Sequence, residues 1–220
     1  KEFRRDVTYE LARREQDLRG KKQEIQHTDS LEQIINKITD ANILSLEETR
    51  ELMDVEVLRS SVEVIRRARV IYLFGMGASL CAAKDAYLKF LRLNKLCIIN
   101  EDWHSQLVQS FNATAQDAAL VFSYSGATAE VIECMKNLKH RGTPVIAITR
   151  CIQSPVSDLA DYKLYTAANE SLFRSGAMSS RMSQLNVVDI LFTALANADY
   201  DQSVDQLSRT HIVKGEKTQR

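Results

Sequence analysis

Within six residues, Ser123-Tyr124-Ser125-Gly126-Ala127-Thr128 places three serine or threonine hydroxyls and a glycine. The stretch directly follows the apolar run Ala118 to Phe122 and precedes Glu130, Val131, Met135 and Leu138 at helical spacing. Strand, tight loop and helix start together suit one kind of chemistry, the holding of an anion. The first turn of a helix has backbone N–H groups without partners and a partial positive charge. Gly126 would let the backbone approach an oxyanion, while Ser123, Ser125 and Thr128 add hydroxyl donors. With no lysine in the loop, the pocket is neutral but rich in donors, which fits a phosphate group. Ser, Gly and Thr after a strand also make an ordinary turn with an N-cap. A second loop of the same kind weighs against that simpler reading: Gly75-Met76-Gly77-Ala78-Ser79 lies between the apolar run Val70 to Phe74 and a helical pattern over Leu80 to Leu93. Three of the seven glycines of the chain, Gly75, Gly77 and Gly126, fall in these two loops.

Two other phosphate chemistries fit less well. Gly75-x-Gly77, with Glu101 or Asp102 after the next strand, matches part of a dinucleotide fingerprint, but Leu80 stands where the third glycine is needed for close helix packing. A Walker loop would need Gly-Lys-Ser/Thr, which neither loop contains. Outside the loops, Glu130 in a first helical turn would complement the dipole or act as a base, and Glu170 is a surface carboxylate or a ligand contact. His104 packs, caps a helix or reaches a ligand, and Arg181 pairs with a carboxylate, touches ligand or supports an interface. Asp85 and Lys89 are placed to pair at i, i+4. Four cysteines, at 81, 97, 134 and 151, have no metal-ligand spacing and lie in or beside apolar stretches, so they read as buried thiols, with no metal expected.

The elements that must position these loops follow from the periodicity. Residues 1 to 18 read as an amphipathic helix with Phe3, Val7, Leu11 and Leu18 on one stripe, and Gly20 to His27 as a charged linker. A second helix carries Leu31, Ile34, Ile35 and Ile38, with Asp29 as its expected cap. A third is expected to begin at a capping box of Ser45 and Glu48, and a fourth carries Leu58, Val62 and Ile65. Strands are then expected at Val70 to Phe74, Leu96 to Ile99, Ala118 to Phe122, Val145 to Thr149 and Tyr162 to Tyr165. Helices lie between them near Ser105 to Phe111 and Ala127 to His140, with a short one after Pro155. A loop over 167 to 179 precedes a long helix with Leu185, Val188, Phe192 and Leu195 along one side, a core or interface stripe. Five strands alternating with helices predict an α/β fold with a parallel, flavodoxin-like doubly wound sheet of order 2-1-3-4-5 behind a helical lead-in. In that order strands one and three are neighbours at the reversal of winding, and ligands lie beyond their carboxyl ends. Both glycine loops follow those strands.

Lys and Arg total 29 and Asp and Glu total 29, so overall charge gives no attraction to nucleic acid or an anionic membrane. No apolar run approaches the length of a membrane span and no signal peptide is present, so a cytoplasmic protein is expected. The first residues read as the middle of a helical pattern, which suggests a preceding segment.

The residues also resemble a known family, the sugar isomerase (SIS) domain, and within it the RpiR-type phosphosugar-responsive transcriptional regulators. Phe74-Gly-Met-Gly-Ala-Ser79 with Ala83-Lys-Asp-Ala86 is similar to the first family block, and Ser123-Tyr-Ser-Gly-Ala-Thr128 to the shared phosphate loop. Glu170, Arg174-Ser-Gly-Ala-Met-Ser-Ser-Arg181, Gln184-Leu185 and Asp189-Ile-Leu-Phe192 resemble the regulator branch. The resemblance implies that Ser79, Ser123, Ser125 and Thr128 bind phosphate, with Gly77, Ala78, Tyr124 and Gly126 lining the same site and Glu170 near the sugar hydroxyls. It implies a phosphorylated sugar as effector, no cofactor, no catalytic residue, and a homodimer that could pair into tetramers. Lys1 to Arg4 resemble the last helix of the regulators' helix-turn-helix domain, so DNA would be bound through residues missing here. The expected division is 1–28, end of that domain and linker; 29–67, helical lead-in; 68–200, SIS domain; 201–220, C-terminal helix or tail. An aldose–ketose phosphate isomerase is the alternative, with Glu130, Glu170 or His104 as base, and a purely structural dimer module is a third reading.

Overall fold

A computed structural model describes residues 25–167 and 178–211. The expected first helix over 1 to 18, most of the linker, Glu170 and Arg174 lie outside the described residues.

Five short apolar runs form one parallel sheet: β1 (Ile71–Gly75), β2 (Cys97–Ile99), β3 (Ala118–Ser123), β4 (Val145–Arg150) and β5 (Tyr162–Thr166). Their order is β2-β1-β3-β4-β5, as expected from the doubly wound pattern. The central pair is in register from Ile71 opposite Ala118 to Gly75 opposite Phe122. Between and around the strands run α1 (Leu31–Leu52), α2 (Val55–Arg67), α3 (Ala78–Arg92), α4 (Trp103–Asn112), α5 (Ala129–His140), α6 (Pro155–Leu159), α7 (Met178–Ala198) and α8 (Tyr200–Arg209).

Alternation along the strands feeds two separate cores, because successive side chains leave opposite faces. Ile71, Leu73, Leu120, Phe122, Ile146, Ile148 and Leu164 pack beneath α2, α3 and α7, against Ile65, Ala83, Ala86, Phe90, Val188 and Leu191. Val70, Tyr72, Phe74, Ala119, Val121, Val145 and Ala147 pack on the other face against Val131, Met135 and Leu138 of α5 and Val156 of α6. Both faces being covered, the strands read as almost continuous apolar runs. On α7, Val188 and Leu195 are buried while Leu185 and Phe192 are half-buried against the same core, so that stripe is largely core.

The helical lead-in differs from expectation in two places. Asp29 does not cap α1: Ser30 does, forming a capping box with Gln33, while Asp29 accepts from the Gln26 N–H and pairs with Lys37 at 2.8 Å. No helix starts at Ser45 either. α1 runs unbroken from Leu31 to Leu52, and Ser45 lies buried inside it. The Ser45 hydroxyl reaches across to the Ala167 carbonyl at 2.7 Å and lies 2.5 Å from the Ser183 hydroxyl of α7. One turn on, Thr49 accepts the Ala167 N–H at 3.0 Å and donates to the Ser45 carbonyl. The serine that looked like a cap is a tertiary contact. It joins α1 to the end of β5.

At the amino ends of the two central strands, Asp117 is buried and accepts four hydrogen bonds: from the Thr114 N–H and hydroxyl, and from Nε and Nη2 of Arg69. The Arg69 N–H also donates to the Gln116 carbonyl. Burial alone would raise the Asp117 carboxyl, but the hydrogen bonds and charge of Arg69, with those of Thr114, hold it below the usual carboxylate value.

Candidate functional site

β1 and β3 run side by side, and their following helices leave on opposite faces, α3 onto one core and α5 onto the other. The Gly75–Ser79 and Ser123–Thr128 segments therefore both lie at the carboxyl end of this central pair, where the winding reverses.

Neither helix start is closed by a side chain, although in α3 the Ser79 and Leu80 N–H groups donate to the Met76 and Gly77 carbonyls. Gly77 occupies the N-cap of α3 at φ +56, and Thr128 occupies that of α5; neither helix has a side-chain cap. By contrast α1, α2, α4 and α6 are capped by the side chains of Ser30, Asp54, Asp102 and Ser154. In α5 the first backbone bond of the helix runs from the Ile132 N–H to the Thr128 carbonyl, which leaves the first-turn N–H groups outside the helical ladder. The hydroxyls of Ser123 and Thr128 are 3.2 Å apart and those of Ser125 and Thr128 are 3.5 Å apart, so the three converge over this helix start. Ser125 also accepts the Ala127 N–H. Gly126, at φ +66, is pressed against the next element: a Cβ there would fall 2.2 Å from Oγ of Ser154. Its carbonyl accepts the Val156 N–H, so the loop is pinned to α6.

On the α3 side, Ser79 is half-buried and its hydroxyl accepts from Nε2 of Gln184 at 3.1 Å. Ala78 is the first residue of α3, and Tyr124, buried between Ser123 and Ser125, gives its carbonyl to the Arg150 N–H. Glu170 lies outside the described residues. Glu130 is half-buried in the first turn of α5. His104 is exposed in the first turn of α4, which Asp102 caps, and with Tyr72, Ile98 and Val108 it lines an open cleft of about 320 Å³ beside β2. Arg181 is exposed on α7. Lys89 pairs with Asp85, as its spacing suggests, and also with Asp189 at 2.7 Å. Among the described residues no cluster of metal-binding side chains is found, and no helix is long and apolar enough to cross a membrane. The cysteines are less uniformly buried than expected: Cys134 is buried, Cys97 and Cys151 are half-buried and Cys81 is exposed.

Two glutamines essential to this geometry carry no signal in the sequence. β2 ends opposite Leu73, so Gly75 has no neighbouring strand on that side. Buried Gln106 replaces it: its Oε1 accepts the Gly75 N–H at 3.2 Å, and its Nε2 donates to the Gly75 carbonyl at 2.9 Å and to the Asn100 carbonyl at 3.0 Å. One turn along α4, Gln109 donates to the carbonyls of Leu73 and Ile98 and accepts from Asn100. A carboxamide has the donor and acceptor of a peptide group, and here it holds the last residue of β1 just before the first loop turns.

A family profile described as the SIS domain matches residues 64–194, which contain both loops and all five strands. The chain belongs to the SIS-domain family. The chain is 37% identical over 185 residues to an uncharacterized HTH-type transcriptional regulator of Caldanaerobacter subterraneus subsp. tengcongensis, covering 84% of this chain and 66% of that one. It is 36% identical to the uncharacterized HTH-type transcriptional regulator YbbH of Bacillus subtilis, covering 82% of this chain and 64% of the relative. The chain thus spans about two thirds of the length of these relatives. Among solved structures, Vibrio vulnificus NanR complexed with ManNAc-6P is 28% identical with a TM-score of 0.76, over 84% of this chain and 68% of that one. The sugar isomerase domain of the Sphaerobacter thermophilus RpiR transcription factor shares the fold, with 22% identity, a TM-score of 0.74, and 80% and 97% of the two chains covered.

Proposed function

We propose that this SIS domain is the effector-binding part of a transcriptional regulator, and that it senses a phosphorylated sugar without transforming it. The phosphate sits across the starts of α3 and α5, held by Ser79, Ser123, Ser125, Thr128 and the first-turn N–H groups of α5, with Gly77, Ala78, Tyr124 and Gly126 lining the site. Glu170 takes sugar hydroxyls. The observation that carries this reading is the pairing of two uncapped helix starts at the carboxyl ends of neighbouring strands, one of them ringed by three hydroxyls. The relationship to HTH-type regulators and to a NanR structure holding ManNAc-6P supports sensing. Residues 1–28 comprise the end of an attached DNA-binding domain and its linker, and the chain acts as a homodimer.

α7 links the site to the lead-in. Gln184 holds Ser79, and the preceding residue, Ser183, meets Ser45 of α1. Ligand that shifts α7 therefore bears directly on the helix leading back toward the DNA-binding end. A typical allosteric coupling of ~1–3 kcal/mol would change DNA affinity roughly 5- to 150-fold.

Calorimetric titration with a panel of phosphosugars that includes ManNAc-6P tests the site. Charge-assisted hydrogen bonds contribute about 1.5–3 kcal/mol each, so Ser79→Ala and Ser125→Ala should each weaken binding by about one to two orders of magnitude. Unchanged affinity in both variants would refute it. Interconversion of a sugar phosphate followed by NMR, and abolished by Glu170→Gln, would replace sensing with isomerisation.

A further inference from the structure

The neutral loops leave open where the positive charge facing a doubly ionised phosphate or another anionic group would come from. The carboxyl end of β4 supplies a candidate. Arg150 is the last residue of that strand, opposite Thr166 of β5, and its N–H donates to the Tyr124 carbonyl inside the candidate loop. Strand alternation places it on the same face as Ile148, the face covered by α3 and α7, where Ser79 and Gln184 meet. Its guanidinium leans back toward β3 and lies 5.5 Å from the centre of the Tyr124 ring. Among the described residues it pairs with no carboxylate, and its Nε is buried without a hydrogen-bond acceptor. Beside it the Oγ1 of Thr166, on a fully buried side chain, is likewise without a partner.

An arginine fixed over an aromatic ring, with a buried donor left unmet, is costly unless something accepts from it. We infer that Arg150 is a further ligand-binding residue, supplying the cationic group of this site and taking an anionic oxygen of the phosphorylated sugar. The inference rests on the function proposed above. Two sources share this chemistry, the phosphate itself or a carboxylate on a sugar acid, and the choice of probe separates them.

The wild-type chain and its Arg150→Met, Arg150→Lys and Ser125→Ala variants would be titrated calorimetrically with ManNAc-6P, glucose 6-phosphate, 6-phosphogluconate and inorganic phosphate. Arg150→Met should weaken binding of the tightest probe by about ten- to a hundredfold, with an unligated melting temperature like that of wild type. Arg150→Lys keeps the charge but lacks Nε, so an intermediate loss is expected, and it serves as the variant to read if Arg150→Met does not fold. A parallel loss for glucose 6-phosphate and inorganic phosphate identifies the phosphate as partner. Loss confined to 6-phosphogluconate identifies a carboxylate. If both Arg150 variants bind like wild type while Ser125→Ala is weakened, the inference fails and the site stands. If Ser125→Ala is also unaffected, or no probe binds, both fail. A loss matched by an equal fall in unligated stability of both Arg150 variants marks a structural residue and also overturns the inference.

Discussion

Gly126 shows how a single residue can be fixed by both backbone and neighbours. At φ +66 an L side chain is strained, and the space a Cβ would need is taken by Ser154, which is itself held in a reciprocal cap with Ser157. Backbone strain of this sort costs of order 1–3 kcal/mol. Gly126→Ala should lower stability by about that amount in urea unfolding and abolish phosphosugar binding, because relief of the clash displaces the loop that carries Ser125 and Thr128. Binding retained at wild-type affinity would show that the loop need not hold this conformation. The glycine was legible in the sequence as a place where the chain must turn or approach something. Ser154 as that something was not, since it lies 28 residues away and meets the loop only through the winding of the sheet.

At the scale of elements, β1 is held beside β3 at its amino end by Arg69, which pairs with Asp117 and donates its N–H to the Gln116 carbonyl, while Gln106 closes the opposite edge of β1 at Gly75. Asp117 has a folded carboxyl value below its ordinary one, so it stabilises the fold above the usual carboxylate range, and that stabilisation is lost as pH falls through the lowered folded value. Asp117→Asn should therefore cost about 1.5–3 kcal/mol at neutral pH and make stability less steep on the acid side, as measured by urea unfolding between pH 3 and 7. An unchanged acid limb would mean that other carboxylates govern it. The lead-in helices illustrate a different point. Ser45 followed by Glu48 satisfies the local rule for a helix start, yet Ser45 is taken up by Ala167 and Ser183 from more than a hundred residues away, and α1 continues through it. Local hydrogen-bonding rules act where no tertiary partner competes.

For the whole molecule, a ligand that binds only the folded chain adds to its stability by mass action. The phosphosugar that binds best, supplied at 100 times its dissociation constant, should stabilise the chain by ~2.7 kcal/mol and raise its melting temperature in a thermal-shift assay. The same ligand should give no shift with Ser125→Ala at that concentration beyond what its weakened affinity allows. A full shift in that variant would place the ligand elsewhere on the molecule.

The amino-acid order by itself determined the sheet: five apolar runs of strand length, alternating with helical patterns, fit only a parallel sheet with both faces buried, and the positions of the two glycine loops follow from its winding. Their hydroxyls were legible for the same reason, since Ser, Gly and Thr at a strand-to-helix turn have a local meaning. Only the tertiary structure decided which polar side chains are structural. Gln106 and Gln109 lie on a short helix and are buried against β1, Gln106 at Gly75 where β2 has stopped and Gln109 on the carbonyls of Leu73 and Ile98. Arg150 stands one residue past the strand expected over Val145 to Thr149, and becomes a charged group over Tyr124 because β4 lies next to β3. A polar side chain is assigned its role by whichever donor or acceptor the fold leaves unmet beside it, and that is a property of neighbours in space.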